Sequence, residues 1–409
     1  MNGKQLYGLP RLLTTLKMGR HPGLKGLSLK QKLALNHVFS QSKLTRLNGR
    51  VYSNTFTPYY PSAAYDRFVQ GLRSLIRGVP CPVVTNFAVT ARCPCNCWHC
   101  SFADRDRRDK LTLSDMKSAI AQAQNLGTAV IGLTGGEPLL RDDLAEIIAS
   151  IDERSLSLLF TTGFELTRSR VKMLKAAGLG IPVISLDHYD SEVHDRGRNR
   201  PGMHAAAVKA IDLFQQEGFY VAVSFVPDRE LMGNRDEAYK VINFFKSLGV
   251  NDMRLTSPIL AGKLTAHPDR LLSKKHVEAI YEIQRYCTRT PGYPGVFAYD
   301  YFESEHFYGC GAGYNYMFID SQGNLCPCDF TMLSLGNILD RPLAEIWAET
   351  GRAFSRPGCT CYANRIAARI HDKNPACFPL SRQDSLDVIQ ACPPDSEGKK
   401  PWMYKKMQP

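Results

Sequence analysis

The stretch FAVTARCPCNCWHC, residues 87–100, places four cysteines within eight residues. Cys93, Cys97 and Cys100 have the spacing Cys-x3-Cys-x2-Cys directly after a predicted strand. One loop of this kind can hold three thiolates around an iron-sulfur cubane and leave the fourth iron open. His99 would complete a four-ligand zinc site instead, so a small zinc loop stays open as an alternative. Cys95 breaks no spacing rule and is interpreted as a bystander or a redox-sensitive thiol.

On both sides of this loop, from about residue 82 to 258, short apolar runs alternate with amphipathic stretches. Predicted helices span Ser114 to Asn125, Asp142 to Ile151 and His204 to Glu217, with strands between them. The six strand candidates are VVTNFAVT (83–90), TAVIGLT (128–134), LSLLFTT (156–162), IPVISLD (181–187), FYVAVSFV (219–226) and DMRLTSP (252–258). Six parallel strand-helix units predict an α/β fold, a partial (β/α)6 barrel whose loops after the strands converge on one end.

Five regions are predicted along the chain. They are a basic helical segment (1–80), the barrel (81–260), a linker helix region (261–300), a cysteine-rich α+β module (301–392) and a polar tail (393–409). No apolar run is long enough to span a membrane, so a cytoplasmic protein is expected. Thirteen cysteines at tight spacings in such a chain favour metal thiolates over disulfides, while isolated Cys81 and Cys287 fit small buried thiols.

The net charge of +12 is concentrated at the N-terminus. Ten Lys or Arg and no acidic residue precede Asp66, whereas the other 344 residues carry 41 basic and 39 acidic side chains. Leucines recur there near helical spacing, so residues 1–50 could lie on an anionic membrane surface. A helical layer on the barrel and an organelle-targeting peptide are the alternatives. The charge pattern indicates an anionic partner for this segment and predicts no nucleic-acid binding.

The run GGEP, Gly135 to Pro138, follows the second predicted strand. Together with the cysteine loop it resembles the radical S-adenosylmethionine (SAM) superfamily, as do Trp98 after the middle cysteine, SLD at 185–187 and HDRGRNRPG at 194–202. The resemblance covers roughly residues 82–260. It implies a 4Fe-4S cluster on the three cysteines, with SAM chelating the open iron.

The resemblance also implies roles for the SAM-binding residues, and each role has a simpler alternative. Gly135 and Gly136 let the backbone approach SAM, and Glu137 accepts from its amine or ribose, unless that carboxylate is merely solvated. Trp98 stacks on adenine or fills the barrel mouth. Arg198 faces the SAM carboxylate or forms a surface ion pair. The remaining predicted SAM contacts are Pro138, Ser185, Asp187 and Ser224.

Seven cysteines lie from residue 310 onward, at 310, 326, 328, 359, 361, 377 and 392. The run from Cys310 through Gly323 to Cys328 resembles the opening of the SPASM or shorter twitch extension of radical SAM enzymes, which binds auxiliary 4Fe-4S clusters. The later spacing departs from the full SPASM pattern, which puts a second auxiliary cluster in doubt. We expect one auxiliary cluster on Cys310, Cys328 and two of Cys359, Cys361 and Cys377, with structural zinc as the alternative.

The resemblance implies reductive cleavage of SAM to methionine and a 5'-deoxyadenosyl radical that abstracts hydrogen from an unactivated C–H bond. The product is an oxidised or newly bonded substrate, and the electron comes from a donor such as ferredoxin or flavodoxin. The SPASM-like module favours a peptide substrate, and the basic N-terminus favours a lipid or isoprenoid. A zinc-binding interaction protein without catalysis is the alternative from another functional class.

Overall fold

A computed structural model of the chain describes residues 3–394, 396 and 398–407. The N-terminal region combines three short strands with three helices. Their bounds are β1 (Lys4–Gln5), α1 (Gly8–Gly19), α2 (Leu29–Ser40), β2 (Thr45–Leu47), β3 (Arg50–Tyr52) and α3 (Ala63–Ile76). The strands form an antiparallel sheet in the order β1-β2-β3, which the prediction of a helical segment did not include.

The six strands predicted for the barrel are all present, separated by helices. Their bounds are β4 (Val84–Thr90), α4 (Leu113–Leu126), β5 (Val130–Gly135), α5 (Leu144–Ala149), β6 (Leu156–Thr161), α6 (Arg168–Ala176), β7 (Ile181–Ser185), α7 (Ser191–Arg198), α8 (Met203–Gln216), β8 (Ala222–Phe225), α9 (Arg229–Gly233), α10 (Arg235–Ser247) and β9 (Asp252–Leu255). Neighbouring strands from β4 to β9 pair in parallel. This is the predicted α/β partial-barrel class.

The C-terminal third adds strands to both edges of that sheet. Its elements are α11 (Lys274–Arg289), β10 (Gly295–Ala298), α12 (Tyr299–Phe302), β11 (Tyr316–Ile319), β12 (Leu325–Cys326), α13 (Leu343–Ala353), α14 (Tyr362–Asp372), α15 (Arg382–Ala391) and α16 (Trp402–Met407). The sheet order becomes β10-β9-β8-β7-β6-β5-β4-β11-β12. β11 runs parallel to β4, so the cysteine-rich module continues the barrel sheet directly beside the strand that leads into the first cysteine loop.

Local sequence signals explain why the elements begin and end where they do. The Thr112 hydroxyl accepts from the Asp115 backbone N–H while the Asp115 carboxylate accepts from the Thr112 N–H, which caps α4. Gly127 ends that helix with a φ of +114°, a conformation that favours glycine. All seven residues of β4 are buried, as expected for a strand covered on both faces.

The N-terminal helices pack on the barrel through α2 and α3, while α1 turns most of its leucines outward. Leu35 and Phe39 of α2 share an apolar cluster with α3 and with α16. Buried Lys43 donates to the Thr290 and Tyr293 carbonyls and so ties this layer to the segment after α11. The predicted helical layer is therefore present for part of the segment, whereas Leu9, Leu12, Leu13, Leu16, Leu29 and Leu33 are exposed.

The chain end differs from the predicted polar tail. Met403, Tyr404 and Met407 of α16 are buried against α2, and the Gln31 side chain donates to the Met407 carbonyl. The prediction was wrong because lysines dominate the sequence of this segment, although one short helix in it has an apolar face. Among the described residues, no helix combines the length and apolar character needed to cross a membrane.

Candidate active site

The two groups of cysteines face a single cavity. It has a volume of about 290 Å³ and lies at the carboxyl end of β4 and beside β11. Most of the predicted site residues line it, namely Cys93, Cys97, Cys100, Gly135, Gly136, Glu137, Ser185, Arg198, Ser224, Cys310, Cys328 and Cys361. Five others do not line it, namely Trp98, Pro138, Asp187, Cys359 and Cys377.

The first cysteine loop holds its thiols close together. Cys95 and Cys97 are buried, and the thiols of Cys93, Cys95, Cys97 and Cys100 pack in one small cluster with Met203. A hydrogen bond from Cys95, with the positive charge of Arg198, lowers the pKa of Cys97 to about 5 although burial opposes the shift. Cys95 also lowers the pKa of Cys93. A thiol so disposed loses its proton readily, as a metal ligand must.

Gly136 and Glu137 bind the start of the cysteine loop through their backbone. The Gly136 N–H donates to the Thr90 carbonyl and the Glu137 N–H donates to the Arg92 carbonyl, each at 2.8 Å. A Cβ atom at Gly136 would lie 2.6 Å from the Arg92 carbonyl carbon, and one at Gly135 2.9 Å from the Ala88 Cβ. Gly136 is therefore required because the start of the cysteine loop passes directly over it, and Gly135 because β4 is equally close. The sequence argument about SAM access did not contain these reasons.

Glu137 is fully buried, so the alternative of a solvated turn carboxylate is wrong. Its Oε1 accepts from the Thr161 hydroxyl at 2.6 Å and the Leu139 N–H at 3.1 Å. Its Oε2 accepts from the Thr162 N–H at 2.7 Å and the Thr162 hydroxyl at 2.5 Å. Burial raises the pKa of Glu137, and these donors offset part of the shift. The carboxylate is thus a fixed support between β5 and β6, and its contact with SAM stays a prediction.

Arg198 is also buried, which makes the surface-pair alternative wrong. Its Nη2 lies 2.5 Å from Asp187 Oδ2 and its Nη1 donates to the Cys97 Sγ over 3.7 Å. Burial raises the pKa of Asp187, but Arg198 and His99 outweigh it and hold that pKa well below its usual range. The Arg198 Nε and His99 Nε2 atoms are buried without a hydrogen-bond partner among the described residues. Asp187 therefore orients the guanidinium, which itself faces the cavity.

The other predicted SAM contacts divide between the cavity wall and its surroundings. Ser185 and Ser224 are paired in register at the carboxyl ends of β7 and β8, and both line the cavity. Trp98 lies outside the cavity, where its ring packs near Gly197 and edge-on to His99. The backbone N–H of Trp98 donates to the Gly197 carbonyl and so anchors the cysteine loop to the end of α7.

The C-terminal module brings three distant cysteines to the same cavity. Cys310 precedes β11, Cys328 follows β12, and Cys361 caps α14. Burial raises the pKa values of Cys328 and Cys361, and the proximity of Cys310 raises both further. The Cys328 Sγ accepts a hydrogen bond of 3.3 Å from the Phe330 N–H, an interaction that suits a thiolate.

The remaining C-terminal cysteines have other surroundings. Cys359 directly follows Gly358, whose backbone exchanges two hydrogen bonds with Cys310, so the chain at Cys359 runs beside Cys310. Cys377 is exposed, beside the Phe378 that pairs with Arg105. Of the choices left open by the sequence, the structure brings Cys361 to Cys310 and Cys328, and it places Cys377 on the surface.

Thiols on two sides of a cavity, backed by a buried guanidinium, fit iron-sulfur clusters chemically. Such clusters are held by cysteine thiolates, and cations and N–H donors around the sulfurs stabilise their negative charge. Within the described ranges, no group of three His, Cys, Asp or Glu side chains is arranged around a single metal ion. Cys93, Cys97 and Cys100 would hold the first cluster, and Cys310, Cys328 and Cys361 would contribute to the second.

Several polar residues that belong to none of the sequence motifs also line the cavity. They are Asn86, Arg254, Tyr299, Glu303, Tyr316 and Asp329. Arg254 lies within β9, and a cation inside a predicted buried strand is a signal that would have identified it. Asn86 lies on β4, Tyr299 and Glu303 lie on and directly after α12, and Tyr316 and Asp329 lie between Cys310 and Cys361. Only the tertiary structure shows that they meet.

Comparison with protein families identifies two segments. Residues 87–242 match the model of the radical SAM superfamily. Residues 310–377 match the SPASM model, described as an iron-sulfur cluster-binding domain. The first segment contains the cysteine loop and GGEP, and the second begins and ends on cysteines of the C-terminal module.

Two curated proteins and one solved structure illustrate what the chain is similar to. The chain is 27% identical over 301 residues to the AdoMet-dependent heme synthase of Methanosarcina barkeri, covering 68% of this chain and 85% of that protein. It is 25% identical over 363 residues to the PqqA peptide cyclase of Rhizobium meliloti, covering 79% and 94%. Streptococcus suis SuiB bound to S-adenosylmethionine has a similar fold, with a TM-score of 0.58 at 18% identity over 78% of this chain and 80% of SuiB.

Proposed function

Because the chain belongs to the radical SAM superfamily and carries a SPASM iron-sulfur domain, we propose that it oxidises or cross-links a substrate held between two clusters. With a reduced 4Fe-4S cluster, SAM supplies the 5'-deoxyadenosyl radical that removes a hydrogen atom from the substrate. The two-cluster scheme is supported most directly by the fact that both groups of cysteines line the same cavity. These are Cys93, Cys97 and Cys100 of the first loop and Cys310, Cys328 and Cys361 of the C-terminal module.

The residues of the cavity have distinct proposed roles. Cys93, Cys97 and Cys100 bind the first cluster, and Arg198, oriented by Asp187, stabilises negative charge beside Cys97. Ser185 and Ser224 are suited to donate to ribose hydroxyls, since both are at the cavity wall. The backbone N–H groups of Gly136 and Glu137 fix the cysteine loop beside the cavity.

The cysteines at the C-terminal side provide a route for the electron left after hydrogen abstraction. A cluster on Cys310, Cys328 and Cys361, with Cys359 as the proposed fourth ligand, would accept that electron next to the substrate. We propose a redox protein such as ferredoxin or flavodoxin as the source of the first electron. A peptide is the first substrate candidate, because the PqqA peptide cyclase matches 79% of this chain.

The test is anaerobic turnover of the reconstituted protein with SAM and dithionite. Formation of 5'-deoxyadenosine above the level without protein is expected, even before a substrate is known. Replacing dithionite with reduced flavodoxin tests the proposed donor separately. Iron and sulfide that reconstitute fully without any 5'-deoxyadenosine would contradict the proposed reaction.

A lipid is the second substrate candidate, because the N-terminal helices expose an apolar face. Leu9, Leu12, Leu13 and Leu16 of α1 follow the spacing of one helix face and are 65%, 53%, 50% and 47% exposed. On the adjacent α2, Leu29 and Leu33 are 74% and 60% exposed. Exposed basic side chains surround them, namely Lys17, Arg20, Lys25, Lys30 and Lys32. We propose that this leucine face docks on an anionic membrane surface.

Point substitutions test this docking better than removal of residues 1–50, because α2 also packs in the core through Leu35 and Phe39. A leucine side chain gains about 1.5–3 kcal/mol on full burial, and a basic residue near an anionic surface contributes about 1 kcal/mol. The doubly substituted Leu12→Ser/Leu16→Ser protein should no longer sediment with phosphatidylserine-containing vesicles, and added salt should weaken sedimentation of the unsubstituted protein. Leu339→Ser, at an exposed leucine of the C-terminal module, is the matched control. Equal sedimentation of all three proteins would contradict the docking.

A further inference from the structure

Arg254 differs from the other buried arginines of the described chain in having no carboxylate partner. Arg105, Arg141 and Arg198 each pair with an aspartate, at 3.1, 2.6 and 2.5 Å. Arg254 is 6% exposed, as deeply buried as they are, and its one side-chain hydrogen bond among the described residues is donated from Nη2 to the Tyr299 hydroxyl. No ion pair within the described ranges includes it. A buried charge without a counter-charge is strongly destabilising, so this position calls for an anion.

The surroundings of Arg254 fix the plane of its guanidinium. Its Cζ lies 4.4 Å from the ring centroid of Phe56, 4.5 Å from that of Phe160 and 5.3 Å from that of Tyr299. These rings hold the group by cation–π attraction without consuming its N–H donors. Arg254 and two of the rings, Phe160 and Tyr299, also line the cavity, so the remaining donors can meet a ligand there.

Of the carboxyl groups that line the cavity, those of Asp329 and Glu303 feel the charge of Arg254 but do not neutralise it. The Asp329 oxygens already accept from the Tyr316 hydroxyl at 3.0 Å and from the Asn86 Nδ2 at 2.9 Å. Burial raises the pKa of Glu303 to about 8, and the charge of Arg254 offsets the shift only in part, so near neutral pH this carboxyl is mostly protonated. Neither oxygen pair lies within ion-pair distance of the guanidinium.

We infer that Arg254 binds a carboxylate of the substrate and thereby places the reacting part of the molecule between the two groups of cysteines. This rests on the proposed function, since it assigns the substrate to the same cavity. A planar guanidinium donates two parallel hydrogen bonds to a carboxylate, which gives both affinity and orientation. A fatty or isoprenoid acid and an acidic side chain of a peptide offer this same group.

The experiment uses matched acids and amides on the holoenzyme with SAM bound. Octanoate and octanamide form the acyl pair, and capped Glu-Leu and Gln-Leu dipeptides form the peptide pair, with binding measured by anaerobic calorimetry. At least one acid should bind about tenfold or more tightly than its neutral counterpart. The pair that shows the difference indicates the source of the carboxylate.

Substitutions at Arg254 then test the assignment. Arg254→Gln should remove the preference for the acid, and Arg254→Lys should retain part of it because the charge remains. Arg50→Met is the matched control, since Arg50 stacks on Tyr59 at 4.3 Å but is exposed outside the cavity. Equal affinity of acid and amide in both pairs, undetectable binding of all four at millimolar concentration, or a preference that survives Arg254→Gln would each overturn the inference.

The same protein preparations separate this inference from the proposed function. Dithionite-driven formation of 5'-deoxyadenosine without substrate tests the SAM chemistry alone. If the unsubstituted protein forms no 5'-deoxyadenosine but still binds the acids more tightly, the proposed reaction is wrong and the carboxylate site is retained. Normal 5'-deoxyadenosine formation without any preference for acids would overturn only the carboxylate site.

Discussion

The first cysteine loop and the C-terminal cysteine module face one cavity but are built in opposite ways. In the first loop, Cys93, Cys97 and Cys100 are neighbours in sequence, and backbone hydrogen bonds to Gly136 and Glu137 set the loop in place. In the module, Cys310 and Cys361 are far apart in sequence and meet only because β11, β12 and α14 fold around them. A contiguous motif thus carries its geometry in its spacing, whereas a dispersed one depends on the whole module.

The largest effect is expected at the middle cysteine of the first loop. Cys97→Ala should reduce 5'-deoxyadenosine formation to the level without protein, because this thiol is the proposed cluster ligand with its pKa lowered to about 5. Cys81→Ala is the matched control, since Cys81 is a buried thiol that does not line the cavity. Product is measured by chromatography after anaerobic turnover. Retained turnover in Cys97→Ala, or its loss in Cys81→Ala alone, would reverse the assignment.

The second prediction asks whether the two regions bind iron independently. Protein in which Cys93, Cys97 and Cys100 are all Ala should retain about four irons per chain on the C-terminal module. Cys328→Ala should instead lose the auxiliary irons and keep those of the first loop. Cys326→Ala, two residues earlier and outside the cavity wall, should keep both sets. Iron and sulfide analysis of folded protein measures this, and complete iron loss in the triple variant would contradict an auxiliary cluster.

The difference between the regions also explains what the sequence could predict. Strand positions and the first loop were predictable because apolar runs and cysteine spacing are local signals. The last two auxiliary ligands were not predictable, since the spacing does not distinguish among Cys359, Cys361 and Cys377. Only folding places Cys361 at the cavity. The burial of Arg198 was not predictable for the same reason, because a run crowded with arginines and acids is typical of a surface until α7 buries one member.

The predicted roles of Trp98 and Glu137 show a further limit. Both occur at the positions that the resemblance implies. Trp98, however, packs beside Gly197 outside the cavity, and the Glu137 carboxylate accepts hydrogen bonds from the Thr161 and Thr162 hydroxyls. Sequence identifies such residues as belonging to the site. It does not separate a side chain that contacts a ligand from one that holds the loop in position.

The third prediction concerns the ion pair that joins the two regions. Arg105 follows the first loop and donates from Nη1 to Asp320 Oδ2 at the end of β11, with both side chains buried. Arg105→Gln leaves the carboxylate buried without its counter-charge, which should lower the free energy of unfolding by about 3–5 kcal/mol. Arg108→Gln, which removes an exposed pair with Asp106, should leave the free energy of unfolding almost unchanged. Anaerobic denaturant unfolding compares the two, and equal stabilities would mean that the regions are coupled elsewhere.

The smallest effect is expected where the first loop crosses the GGEP turn. A methyl group at Gly136 would overlap the Arg92 carbonyl, so Gly136→Ala must push the cysteine loop outward, at a cost of about 1–3 kcal/mol for overpacking. Because the loop and not the module moves, this protein should lose iron from the first site and keep the auxiliary irons. Gly19→Ala, with open space around the added methyl group, should leave both the stability and the iron content unchanged. Equal loss of iron from both sites in Gly136→Ala would instead mean that the cysteines of the module depend on the first loop for their position, and the contrast between a local and a dispersed site would fail.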